Sequence, residues 1–371
     1  MARIIVLGGF ADSLVNFRGV LLSEMVKHGH EVIACAPNAS VDVQSELFRL
    51  GVAYQHVDMD RTGINPIHDL DLVRRMFSLF RELKPDVFLA YTIKPVIYGS
   101  IAARIAGVHK VFSMITGLGY AFMDQSPKGR ILRAISIFLY RIALKHHDKV
   151  FFQNPDDIHL FTDLGLVDSS KQAVLVHGSG VDIDLFRPAH FPAAISFLLI
   201  ARLIQDKGIH EYVEAAKIVK HHAPHVRFFL AGWIDSNPRA ICSDQLQAWQ
   251  DGGAIEYLGK LSDVREAIAG CSVYVLPSYR EGTPRTVLEA MAMGRPVITT
   301  DVPGCRETVQ EGENGFLVPA RDEKALADAM LRFIRMPEMI APMGEESRKI
   351  ASKKYDVRKV NAQIIAAMNL A

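Results

Sequence analysis

Cysteine is scarce in this chain of 371 residues: Cys35, Cys242, Cys271 and Cys305 lie far apart and form no CxxC pair. A disulfide frame and a zinc site of cysteines are thereby excluded, and the thiols are expected to be reduced, as in cytosolic proteins. Excess charge of one sign is also missing. Lys and Arg number 42 against 41 Asp and Glu, so no global field draws in nucleic acid, and any hold on phosphate or acidic lipid must be local. No apolar run approaches the roughly 20 residues of a membrane span. The opening run Ile4 to Leu7 is soon followed by Asp12, Asn16 and Arg18, so it is too short for a signal-peptide core and suits a buried strand. Low-complexity tracts and internal repeats are absent. The pairs His146-His147 and His221-His222 lack the i, i+4 spacing of helical metal ligands.

What is present is an ordinary folded composition, 49% apolar and 22% charged, in a chain longer than the roughly 250–300 residues at which single cores stop growing. Short β-branched or aromatic runs alternate with helical stretches, the pattern of parallel sheets with crossover helices. The first half offers strands at 3–7, 31–36, 53–58, 86–91, 110–115, 149–153 and 173–177. After Phe186-Arg187-Pro188 and Phe191-Pro192 a second series follows at 197–201, 226–231, 255–258, 273–277, 296–300 and 315–318. The prolines mark a hinge, giving domains 1–188 and 189–371. The basic, helical segment from Ile340 to Ala371 is expected to cross back to the first domain. The fold class is α/β, two Rossmann-like doubly wound domains facing across a cleft, with chemistry in the strand-to-helix loops.

The densest of those loops is Ser278-Tyr279-Arg280-Glu281-Gly282-Thr283-Pro284-Arg285-Thr286-Val287-Leu288-Glu289-Ala290. Pro284 fits a first helical turn, which leaves backbone N–H groups and a partial positive charge for a diphosphate, with the Thr286 hydroxyl as a further donor. Glu281 can accept hydrogen bonds from sugar hydroxyls, and Glu289, inside the helix, can take both hydroxyls of a ribose. The plainer alternative is a capping glutamate and a solvated one. A second loop, Ala201-Arg202-Leu203-Ile204-Gln205-Asp206-Lys207-Gly208, follows a strand and carries a guanidinium fork and a point charge suited to a diphosphate leaving group. Two solvated loop cations are the alternative there.

These two motifs resemble those of the family 4 glycosyltransferases of the GT-B type, retaining enzymes that use nucleotide sugars. The E-x7-E signature matches Glu281 and Glu289, and the Arg…Lys-Gly loop matches Arg202, Lys207 and Gly208. The likeness extends through Ala231-Gly232, Tyr257-Leu258-Gly259 and Glu313-Asn314-Gly315. It implies that Glu281 holds the donor sugar, Glu289 the ribose, and Arg202 with Lys207 the diphosphate. Gly208, Gly282, Thr283, Thr286 and Val287 would line the donor, with Tyr257 and Leu258 in the base-contacting loop. Gly8 and Gly9, after the first strand, suit the family's first-domain glycine loop, where backbone approaches a phosphate or sugar; a tight turn without ligand is the alternative. They do not form G-x-G-x-x-G, which disfavours a dinucleotide dehydrogenase.

The stretch Thr116-Gly117-Leu118-Gly119-Tyr120-Ala121-Phe122 is similar to family members that build lipid-linked bacterial surface glycans, with Tyr120 and Phe122 either stacking on a sugar or filling core. Asn16, Arg18, Lys94, Thr116, Gly117 and Tyr120 form the acceptor-side set. Many family members carry a histidine in the loop that is Tyr91-Thr92-Ile93-Lys94-Pro95 here, so this chain departs from the pattern. The apolar, basic segment 128–145 reads either as an amphipathic helix resting on acidic lipid or as a buried helix with snorkelling cations. The expectation is thus a retaining, metal-independent hexosyltransferase without cofactor. It would move a hexose or N-acetylhexosamine, UDP-linked, to a glycan on polyprenyl diphosphate, at the cytoplasmic face of the inner membrane. A UDP-sugar 2-epimerase of the same architecture and a non-catalytic nucleotide-sugar-binding protein are the alternatives.

Overall fold

The computed structural model describes all residues except 61–65, 119–121, 123–125, 236 and 238, and only the backbone of 66 and 67. The chain forms two compact units, Met1–Ser179 with Val360–Ala371, and Gly180–Lys359.

In the first unit the strands β1 (Arg3–Leu7), β2 (Glu31–Ala36), β3 (Ala53–His56), β4 (Val87–Tyr91), β5 (Lys110–Ile115), β6 (Lys149–Phe152) and β7 (Ala173–Leu175) line up as β3-β2-β1-β4-β5-β6-β7. Every pairing is parallel. The inner strands of such a sheet are covered on both faces and read as unbroken apolar runs; β4 is buried from end to end, whereas the edge strand β3 is largely exposed. Alternation across the strand then sorts the core into two layers. Ile4 and Val6 of β1 pack with Leu21, Leu22 and Met25 of the helix Gly19–Lys27, while Ile5 and Leu7 join Leu72, Met76 and Phe80 of the helix Pro66–Leu83. Chain order reverses between β1 and β4, so the loops after these strands open at the switch point.

The helix Val357–Ala367 carries Val360, Ile364 and Ile365 into the Ile4–Val6 layer. Gln363 Nε2 donates to the Leu175 carbonyl at 2.8 Å, and His30 Nε2 lies 2.9 Å from the Leu370 carbonyl. The division between units falls after Ser179, so residues 180–188, read from sequence as first-domain, belong to the second. Val181 bridges Asp356, and Phe186 is buried among second-unit residues.

The second unit repeats the plan with β8 (Ser196–Ile200), β9 (Arg227–Ala231), β10 (Glu256–Tyr257), β11 (Val273–Leu276), β12 (Val297–Thr300) and β13 (Gly315–Val318) in the order β10-β9-β8-β11-β12-β13. β8, β11 and β12 are wholly buried. The proline-bearing stretch, expected as a hinge, is instead pinned to this unit. Fully buried Arg295 donates to the carbonyls of Ala189, His190, Ile268 and Ala269, and Arg348 donates to those of Ile183, Phe186 and Ala292. A guanidinium can be buried only when its donors are met in this way.

Candidate active site

Two helices begin at the carboxyl edge of the second sheet. Ile209–His222 follows β8 with Gly208 as its N-cap, and Arg285–Ala292 follows β11 with Pro284 as its N-cap. Pro284 therefore precedes the helix rather than occupying its first turn. Neither start has a capping side-chain hydrogen bond, so both present N–H groups and positive dipole ends at one sheet edge. Two glycines hold the loops together. Gly208, at φ +70°, sits where a Cβ would collide with the Pro277 carbonyl, and Gly304, at φ +83°, where one would collide with the Glu281 and Gly282 carbonyls. Only glycine combines that backbone with that approach.

The charged groups of the site are already paired. Lys207 Nζ forms an ion pair with Glu281 Oε1, with side chains 18% and 13% exposed. Ser278 Oγ donates to the same Glu281 oxygen at 2.7 Å, and the Glu281 N–H donates to the Pro303 carbonyl at 3.0 Å. Sequence thus separates Lys207 from Glu281 by 74 positions, and the fold joins them. Arg202 Nη1 lies 3.0 Å from Asp235 Oδ2, and Arg239 Nη1 lies 2.7 Å from Asp206 Oδ1. Glu289 is buried and takes a 2.7 Å hydrogen bond from Arg285 Nε. Burial raises its pKa against the opposing pull of Arg285.

Other donor-side candidates are committed within the unit. Thr286 Oγ1 donates to the Ile200 carbonyl at 3.3 Å. Val287 lies in the core, and its N–H donates to the Pro284 carbonyl at 3.1 Å. Gly282 is buried and Thr283 half-buried in the turn before Pro284. Tyr257 Oη donates to the Gly232 carbonyl at 2.8 Å, and Leu258 is 38% exposed. Asp235, Arg239, Pro303 and Gly304 were missed in the sequence, and Ser278 and Asp206 stood in the two loops without a role. Of these only Pro303-Gly304, a turn signal after a strand run, carried a visible cue.

The first unit uses its candidates differently. Gly8 and Gly9 are buried, and a Cβ on them would meet the Tyr91 ring and Thr92 Oγ1 respectively. What approaches these glycines closely is protein. Arg18 is 3% exposed with its guanidinium carbon 5.1 Å from the Tyr91 ring centroid, whereas Asn16 is exposed. Lys94 Nζ pairs with Asp69 Oδ1 at 2.7 Å, and Tyr98 Oη donates to Asp69 Oδ2 at 2.8 Å. Thr116 and Gly117 are half-buried, the latter at φ +136°. Tyr120 lies outside the described residues. Phe122 packs against Tyr140 and Phe161, which favours the core account of that aromatic. Among the described residues no three His, Cys, Asp or Glu side chains gather to hold a metal ion.

Comparison with known proteins gives the same two-part picture. Residues 5–154 match the family described as glycosyl transferase 4-like, and residues 194–336 match the glycosyl transferases group 1 family. The chain is 26% identical over 330 residues to the N,N'-diacetylbacillosaminyl-diphospho-undecaprenol alpha-1,3-N-acetylgalactosaminyltransferase of Campylobacter jejuni, covering 85% of each. It is 25% identical over 288 residues to the UDP-Gal:alpha-D-GlcNAc-diphosphoundecaprenol alpha-1,3-galactosyltransferase of Escherichia coli, covering 73% of this chain and 72% of that one. In fold it is similar to HepE from Anabaena in complex with UDP-glucose, with a TM-score of 0.79 at 18% identity over 100% of both chains.

Proposed function

Given that this chain belongs to the family 4 glycosyltransferases and has their GT-B fold, we propose that it moves a hexose or N-acetylhexosamine from a UDP-linked donor to a glycan hydroxyl. The acceptor glycan is carried on a lipid diphosphate, and anomeric configuration is retained. The observation that carries the reading is the Lys207–Glu281 pair set between two helix starts at one sheet edge. Cations and N–H dipoles fixed there stabilise a diphosphate as its charge develops, without reorganising during the reaction. The two relatives are named for sugars carried on diphospho-undecaprenol, and this acceptor class is extended here to the present chain.

In the proposed step the acceptor oxygen forms a bond to the anomeric carbon on the face that the diphosphate leaves. The acceptor proton passes to the departing phosphate oxygen. Arg202 and Lys207 neutralise the leaving group, Glu281 orients the sugar hydroxyls, and Glu289 receives the ribose. Metal is assigned no role, so EDTA should leave the rate unchanged. The test is to incubate the chain with a panel of nucleotide sugars and a polyprenyl-diphosphate-linked sugar, reading product mass and anomeric configuration. A product with inverted configuration would overturn the retaining mechanism, and an epimerised donor without acceptor would overturn the transferase reading.

A further inference from the structure

The helix Pro127–Leu144 has an outer face unlike that of a solvated helix. Its inner side is ordinary: Gly129, Tyr140, Ala143 and Leu144 are buried, and Tyr140 meets Phe161 edge-on with ring centroids 5.3 Å apart. On the opposite side Ile131, Ile135, Phe138 and Ile142 are 63%, 48%, 59% and 41% exposed. Their spacing of four, three and four residues places them in one straight row. A helix that faces only water carries polar side chains in that row.

Charge flanks the row on one sign alone. Residues 127–145 contain Lys128, Arg130, Arg133, Arg141 and Lys145 and no Asp or Glu. On a helical projection Lys128 falls to one side of the row, and Arg130, Arg141 and Lys145 to the other. Arg133 projects away from the row with its guanidinium carbon 5.9 Å from the Phe122 ring centroid, Arg141 donates to the Leu164 carbonyl, and both remain exposed. An apolar ridge between cationic margins fits the boundary of an anionic bilayer, where the ridge enters the acyl region and the cations reach phosphate headgroups. No described helix is long and apolar enough to cross a membrane.

We propose that Ile131, Ile135, Phe138 and Ile142 form the surface on which the protein docks to anionic membrane, a proposal that deepens the lipid-linked acceptor reading by naming what brings the enzyme to that lipid. The test is co-sedimentation of the full chain with phosphatidylcholine vesicles with and without phosphatidylglycerol, in the absence of any sugar donor. Binding is expected only with phosphatidylglycerol. The pair Ile135→Ser and Phe138→Ser should lower partitioning by roughly tenfold or more, and Lys128→Gln and Lys145→Gln by roughly fivefold each. Unchanged circular dichroism and melting of the variants excludes misfolding, since all four positions face outward. Failure of the wild type to bind anionic vesicles would overturn the proposal. So would a dimer in solution that the Ile135→Ser and Phe138→Ser pair makes monomeric, because a second copy would then cover the row. Vesicle binding without sugar transfer would strike the transferase reading and leave the docking surface standing.

Discussion

The two units share one plan, a parallel sheet with helices on both faces and loops at its carboxyl edge, yet those edges are built from different chemistry. In the second unit the edge holds the ion pairs Lys207–Glu281 and Arg202–Asp235 beside two helix starts. In the first, Gly8 and Gly9 are packed against Tyr91 and Thr92, and Lys94 is locked to Asp69 with side chains 14% and 10% exposed. The same topology therefore carries the proposed diphosphate clamp on one sheet and, on the other, loops whose glycines are approached by protein side chains. Topology sets where a site can form, and the loop side chains decide whether one does.

Exchanging the roles of the two lysines is the strongest way to break that contrast. Lys207→Ala should lower kcat/KM by about 10³-fold, the scale for removing one preorganised transition-state partner. Lys94→Ala should chiefly cost stability, about 3 kcal/mol, because Asp69 is left buried without its cation. Turnover assays beside thermal unfolding separate the two, and a stability loss at Lys207 with wild-type turnover would reverse the assignment.

A pH dependence sharpens the contrast further, because the first unit also buries His147. Its Nε2 lies 2.7 Å from Ser113 Oγ, and burial holds its pKa down to about 3 against an ordinary 6.5. The unfolded chain binds a proton below pH 6.5 that the folded one refuses. Stability therefore falls as pH drops through 6.5 toward 3, by about 2 kcal/mol at about pH 5. Melting at neutral and acid pH should show this loss in the wild type and its reduction in His147→Asn. The smallest effect is expected at Glu289. Burial disfavours its ionised form, so Glu289→Gln should melt no lower than the wild type while raising the donor KM about tenfold through one lost charged hydrogen bond.

The strands were legible because buried parallel strands are apolar on both faces, and all thirteen runs fall on observed strands with ends shifted by a few residues. Strand ends shift because pairing stops where a neighbour ends, as at β7, which covers Ala173–Leu175 within the run 173–177. Glu281 and Lys207 were legible as charges beside helix starts. Their mutual pairing was not, nor were Asp235 and Asp206, since those partners come from separate loops that only tertiary folding gathers. Gly8 and Gly9 show the converse: the sequence announced a close approach there, and the ring that fills it comes from Tyr91 on β4.

The return of Val360–Ala371 to the first unit makes Gly180–Lys359 an insertion with its two ends side by side, Val181 bridging Asp356. Exchange of residues 180–359 between related chains would need two neighbouring junctions, the second inside the helix Val357–Ala367, and the first unit gains its last helix only after the whole insert has been synthesised.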